Sequence, residues 1–308
     1  MPNAAPRPVA GLHHVTAISG APQANVDFYT GTLGQRLVKK TVNFDDPGTY
    51  HLYYGDATGT PGTILTFFPF ASAAPGRDGP GQALAYAYRT PRGAAFDDWA
   101  ARLEGIADGA MTERFGARVL GLADPHGQRF ELIEDDVDGT ALAGFHSVTL
   151  WVADPGPTAR VLIDVFGYAE AGHDASGGEE RLRLVAPGAG IASIVDIMRR
   201  DSTATARQGA GSIHHVAFRA ADDAHQDEIR EALLAAGHQA TQRIDRQYFN
   251  AIYFREPGGI LFEVATDPPG FTVDEAPEEL GRNLRLPQQH EHLRARIEAH
   301  LPPLAVPA

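Results

Sequence analysis

The chain reads as an α+β protein assembled from four copies of one βαβββ module, and two features predict it. Four segments carry apolar residues at i, i+3, i+4 and i+7 and then stop at a glycine. They are Val26/Tyr29/Thr30/Leu33 before Gly34, with Thr30 the weak member, and Phe96/Trp99/Ala100/Leu103 before Gly105. The others are Ala159/Leu162/Ile163/Phe166 before Gly167, and Ile229/Ala232/Leu233/Ala236 before Gly237. This is the signature of an amphipathic helix with a glycine C-cap. Its recurrence from positions 26, 96, 159 and 229 marks an internal repeat. The second feature is that a strand-like run precedes each helix and further β-type stretches follow it.

In order, the leading runs are GLHHVTAI from Gly11, ALAYAYR from Ala83, FHSVTLWV from Phe145 and IHHVAFRA from Ile213. Module one continues with RLVKKTVNF, TYHLYYG and TILTFFPF. Module four continues with QATQRIDRQ, NAIYFRE and ILFEVATD, the last two joined by the turn Pro257-Gly258-Gly259. Phe70–Gly81 and Asp201–Gly211 read as flexible linkers, and Asp174–Glu180 as a solvated loop. The expected division is an N-terminal domain of two modules over 1–138 and a C-terminal domain of two modules over 139–270. An extension over 271–308 carries a helix at Gln288–His300.

Composition narrows the function. Among 308 residues, 43% are hydrophobic and 21% charged, as in ordinary soluble globular proteins. The net charge of −13, with no basic block to oppose it, argues against nucleic-acid binding. The lack of cysteine removes disulfides, thiolate metal sites, iron–sulfur clusters and a cysteine nucleophile. No apolar run approaches 18 residues, so no membrane partner is expected. The first residues, MPNAAPRPVAG, lack the apolar core of a signal peptide, and a cytoplasmic location is expected. A homo-oligomer is compatible with the sequence.

Aligning the repeats exposes a candidate metal site. In the first strands GLHHVT, GFHSVT and SIHHVA, one column holds His14, Ser147 and His215, and its neighbour holds His13, His146 and His214. Strand residues alternate between faces, so one histidine of each pair is expected to face a pocket. In the last strands, counting six from the turn proline gives Glu131 in module two and Glu263 in module four. The same count gives Phe67 in module one and Ser193 in module three, with Asp196 nearby. Only modules one and four together supply two histidines and a carboxylate: His14, His215 and Glu263. That is the facial set that binds non-heme Fe(II) and leaves positions open; Mn(II) and Zn(II) suit the same donors. Since Ser147 breaks the corresponding set, Glu131, His146 and Asp196 are expected to be structural.

These motifs carry a resemblance. LHHVT at Leu12, DFYTGTLGQRLVKKTVNFDDPGTYHLYYGDATGTPGT from Asp27 and GFHSVT from Gly144 run in order with three more. The others are IHHVAF from Ile213, DRQYFNAIYFREPGGILFEVATD from Asp245 and GFTVDE from Gly270. Over residues 9–290 the chain resembles the vicinal oxygen chelate superfamily, and within it the ring-cleaving dioxygenases of the hydroquinone type, such as dichlorohydroquinone dioxygenase. The resemblance implies Fe(II) on His14, His215 and Glu263, a small aromatic substrate and O₂. It also implies that His13, Thr16, His214, Arg246 and Tyr253 surround the reacting groups.

On this reading His13 or His214 moves protons, their pKa values lying naturally near neutrality. Tyr253 donates a hydrogen bond and Arg246 stabilises anionic oxygen. Two other readings compete. A glyoxalase-like isomerase or lyase would use a fourth protein ligand, which Phe67 does not offer. A non-catalytic protein that sequesters an aromatic or quinone would not need the triad.

Overall fold

The computed structural model describes residues 5–306 and contains all four modules. Module one is β1 (Leu12–Ser19), α1 (Pro22–Val26, continued by a π-helical turn over Asp27–Thr32), β2 (Arg36–Val42), β3 (Tyr50–Gly55) and β4 (Ile64–Pro69). Module two is β5 (Gln82–Pro91), α2 (Ala94–Arg102), β6 (Thr112–Arg114), β7 (Ala117–Ala123) and β8 (Arg129–Asp135). Module three is β9 (Phe145–Trp151), α3 (Pro155–Arg160, with a π-helical turn over Val161–Val165), β10 (Ala169–Ser176), β11 (Glu179–Val185) and β12 (Ile194–Arg199). Module four is β13 (Ser212–Ala220), α4 (Asp223–Ala235), β14 (Ile244–Asp245), β15 (Phe249–Arg255) and β16 (Leu261–Pro269).

The glycine stops hold where the backbone turns left-handed: Gly34, Gly167 and Gly237 have φ of 68°, 75° and 88°, values that cost an L side chain 1–2 kcal/mol or so. Gly105 differs. It lies inside a short 3₁₀ turn, Glu104–Ile106, after the helix has already ended.

Two eight-stranded sheets result. One has the order β14-β15-β16-β13-β1-β4-β3-β2 and joins modules one and four; the other has the order β10-β11-β12-β9-β5-β8-β7-β6 and joins modules two and three. Each sheet therefore draws on both 1–138 and 139–270, because β1 pairs antiparallel with β13 and β5 with β9. A continuous apolar core runs through both units, with Val15, Phe67, Phe130, Phe145, Phe218 and Phe262 fully buried. Side chains of this size contribute roughly 1.5–3 kcal/mol each on burial.

Three segments differ from their sequence-based expectation. The two linkers pair with each other: Gly76 N–H donates to Ala210 O (2.8 Å), and Arg77 and Arg207 exchange backbone bonds of 2.9 and 3.0 Å. Asp174–Glu180 is the tip of the β10–β11 hairpin, turned by Gly177 and Gly178 at positive φ. Charged residues on both strands hid that hairpin from hydrophobic patterning. The helix expected over Gln288–His300 is a 3₁₀ turn, Gln288–Leu293, followed by α5 (Arg294–His300).

The extension is bound through buried charge. Lys39 on β2 is fully buried, and its Nζ donates to Phe271 O (3.1 Å), Asp274 Oδ1 (2.6 Å) and Glu275 Oε2. Further along, Gln289 Nε2 donates to Phe44 O (2.8 Å) and Tyr50 Oη to Pro302 O (2.9 Å). The extension thus holds both ends of the β2–β3 loop, whose residues 43–45 line the cavity described next.

Candidate metal centre

Val15 lies opposite Val216 where β1 meets β13, so modules one and four are related by a local two-fold between them. The relation sets His14 against His215, and their Nε2 atoms stand 3.3 Å apart. Parallel pairing of β13 with β16 puts Glu263 beside Ala217. Glu263 Oε2 lies 2.9 Å from His215 Nε2 and 3.4 Å from His14 Nε2. All three side chains are buried, and their ligand atoms lie within 4.8 Å of one another. Glu263 Oε1 has no hydrogen-bond partner. An unpartnered oxygen on a fully buried carboxylate is costly unless a cation takes it up. Two imidazole nitrogens and that carboxylate fit a divalent transition metal.

Protonation suits the same role. Burial opposes ionisation of Glu263, yet the adjacent imidazoles hold its carboxyl well below the usual carboxylate range. Burial pushes the His215 imidazole down, with Glu263 opposing. A deprotonated carboxylate and a neutral imidazole are the forms that bind metal.

The paired histidines do not simply alternate between faces. The β1–β13 register shifts at His13 and again at His214, a bulge in each strand. A bulge re-aims its side chain, so neighbours in sequence meet: His13 Nδ1 is 2.9 Å from His14 Nδ1, and His214 Nδ1 is 2.8 Å from His215 Nδ1. Were Nε2 of His14 and His215 to hold a metal, the Nδ1–H of each would be donated to the histidine before it, which would fix ring orientation and tautomer. Burial pushes His13 well below its ordinary value and His214 down to about 3, not near neutrality as the sequence alone suggested. His214 also lines the cavity; His13 lies behind it.

That cavity has a volume of about 440 Å³ and is bounded by the triad, by Phe44, Phe68 and Phe249, and by the polar groups below. Arg246 and Tyr253 both line the cavity and meet there: Arg246 Nε donates to Tyr253 Oη (3.2 Å) and Nη1 pairs with Asp45 Oδ2 (3.2 Å). Tyr253 lies directly opposite Glu263 in the β15–β16 register. Thr16 stands back from the cavity, its Oγ1 2.9 Å from Thr66 Oγ1.

Repeat alignment missed three residues. His51, Tyr53 and Thr66 form one hydrogen-bonded chain: Tyr53 Oη to His51 Nδ1 is 2.9 Å, and His51 Nε2 to Thr66 Oγ1 is 2.8 Å. Aligning the third strands, HLYYG from His51 with AIYFR from Ala251, would have matched Tyr53 to Tyr253.

The last-strand columns also shift. Thr16 pairs with Thr66 as Ala217 pairs with Glu263, so Thr66 and not Phe67 occupies the equivalent position in module one. In module three it is Asp196, opposite Thr149, and not Ser193. Turns of different length upset the count from proline. Phe67 packs on Tyr29 and Tyr54 in the core, where Phe218 and Phe262 also lie, whereas Phe249 lines the cavity.

No described helix is long and apolar enough to cross a membrane. Comparison with known proteins agrees with this architecture. The model of the "Glyoxalase/Bleomycin resistance protein/Dioxygenase superfamily" matches residues 11–132 and 144–264. A Bacillus subtilis protein named "Putative ring-cleaving dioxygenase MhqO" is 44% identical over 96% of this chain and 97% of its own length. The "Chlorohydroquinone/hydroquinone 1,2-dioxygenase" of Sphingobium indicum is 36% identical over 94% of this chain and 95% of its own. A crystal structure of a "putative dioxygenase" from Bacillus subtilis superposes with a TM-score of 0.91 at 43% identity, covering 98% of this chain and 99% of the other. With its four modules, two sheets and matched sequence, the chain belongs to the glyoxalase/bleomycin resistance protein/dioxygenase superfamily.

Proposed function

We propose that this protein is an Fe(II)-dependent ring-cleaving dioxygenase that inserts O₂ into a hydroquinone- or catechol-type ring. The observation that carries this is the meeting of His14, His215 and Glu263 at the wall of an aromatic-lined cavity. The relatives' names point to the same chemistry. His14, His215 and Glu263 would hold a ferrous ion, which would supply the electron-donating chemistry that lets O₂ react with a phenolic substrate.

The chain's own residues do the rest. His13 and His214 orient the two ligand rings. Tyr253, buried and with its phenol pushed well above its ordinary pKa, stays protonated and donates into the cavity. Arg246 is a permanent cation, partly balanced by Asp45, that stabilises a phenolate or the carboxylate formed on ring opening. Thr16 supports the cavity wall through Thr66. The apolar rings exclude water and pack on the substrate ring.

The test is O₂ uptake by metal-free protein reconstituted anaerobically with Fe(II) or Mn(II), measured against a panel of hydroquinones and catechols. The expected result is metal-dependent uptake with loss of ring absorbance. Metal bound at the triad with no uptake on any diol would overturn the reading.

A further inference from the structure

The two-fold between modules one and four extends past the metal ligands. Tyr253 lies opposite Glu263 between β15 and β16, and Tyr53 lies opposite Thr66 between β3 and β4. The cavity is therefore flanked by two phenols in equivalent positions. Their neighbours differ. Beside Tyr253 stands a long carboxylate that reaches the two imidazoles. Beside Tyr53 stands a threonine, too short to do so, and His51 lies over it, so on this side His51 and Tyr53 line the cavity and no carboxylate reaches the imidazoles.

We propose that Tyr53 is a substrate-binding residue on this carboxylate-free side, and that His51 is the positioning residue that aims its hydroxyl. Both line the cavity and both are nearly inaccessible to solvent. His51 is held at both ends: Nδ1 meets Tyr53 Oη at 2.9 Å, and Nε2 meets Thr66 Oγ1 at 2.8 Å, which itself meets Thr16 at 2.9 Å. The His51 ring also packs on Phe68 (centroids 4.3 Å apart), so it has little freedom to turn.

In the proposed arrangement the proton sits on His51 Nδ1, so that this nitrogen donates to Tyr53 and Nε2 accepts from Thr66. Tyr53 Oη then keeps its own O–H for an acceptor in the cavity. An oxygen of an aromatic diol, protonated or ionised, is such an acceptor. Arg246 restrains Tyr253 across the cavity, so the two phenols grip the substrate from opposite sides, each fixed by a different partner.

This rests on the proposal that the site takes an aromatic diol, and the experiment separates the two. Protein loaded with redox-inert Zn(II) is titrated with hydroquinone and catechol by calorimetry, for the parent, Tyr53→Phe, His51→Asn and His51→Gln. Zn(II) stoichiometry and thermal melting check that each variant holds its metal and its fold, and Thr66→Val serves as a milder probe of the same chain. Loss of a single hydrogen bond to the diol is expected to weaken binding about tenfold in Tyr53→Phe.

His51→Asn, whose amide still reaches Tyr53, should lose less than His51→Gln, whose amide reaches Thr66 instead. That order would not arise from a merely structural histidine. Equal affinity in parent and Tyr53→Phe overturns this inference and leaves the functional reading intact. Failure of the parent to bind any diol overturns both.

Discussion

The two sheets share strand order and even their bulges, yet among the described residues only one brings together a set that could hold a metal. Equivalent positions can be read from the register. His14 corresponds to Ser147, His215 to Ala85, Glu263 to Glu131 and Thr66 to Asp196. The second sheet thus keeps carboxylates where the first has a carboxylate and a hydroxyl, and loses both imidazoles. Each of its carboxylates is taken by an arginine: Glu131 by Arg114, and Asp196 by Arg183 through two bonds of 2.7 Å. A guanidinium cannot give up its proton, so these carboxylates are committed to ion pairs. The difference teaches that the fold supplies convergence at the centre of each sheet, while side-chain identity decides between a cation site and an internal ion pair.

The largest way to break the comparison is at the triad. His215→Ala or Glu263→Gln should lower metal affinity by more than about a hundredfold, since even orienting partners of ligands cost 10–100-fold or so. Metal content after dialysis against a weak chelator reads this directly. Arg114→Ala in the other sheet should leave metal content unchanged. Normal metal retention in His215→Ala would remove the site assignment.

The next effect belongs to the second sheet. Asp196 is fully buried, and Arg183→Ala would leave its charge unpaired at a cost of about 3–5 kcal/mol in urea unfolding. Replacing both together, Arg183→Met with Asp196→Leu, should recover most of that loss, because the pair offsets its own desolvation. If the single and double variants were equally destabilised, the arginine's packing on Phe115 (3.9 Å) would be the dominant contribution.

Much of this was legible in sequence because a fourfold repeat supplies its own alignment. The four helices, the leading strands and the triad all came from matching modules. What failed has physical causes. Alternation predicted one inward histidine per pair; in the first pair only His14 lines the cavity, but in the second the bulge at His214 brings it to the cavity beside His215. Counting from a turn proline assumed equal turns and landed on Phe67 in place of Thr66. His51 had no counterpart to flag it, since module four has Ala251 there. The pairing of module one with four, and of two with three, was legible only for the triad, because strand partners are set by long-range hydrogen bonds that leave no local trace.

The smallest effect is also the cleanest contrast in pH behaviour. Glu134, at the end of β8 in the second sheet, accepts hydrogen bonds from Arg118 and from Gly93 N–H (2.7 Å), and its carboxyl is pulled down to about 2. A folded value below the unfolded one, about 4.3, stabilises the fold fully above pH ~5, and that contribution disappears as pH falls toward 2. The pair sits at the surface, with the Glu134 and Arg118 side chains 15% and 34% exposed, so the gain stays at about 1 kcal/mol or less. Melting temperatures of the parent and Glu134→Gln should therefore differ by a few degrees or less at pH 7 and converge near pH 2. A gap that persisted at the lowest pH would mean that lost packing, not lost charge, is responsible. Removing a carboxylate would then register as pH-dependent stability in the arginine-paired sheet and as metal loss in the histidine-bearing one.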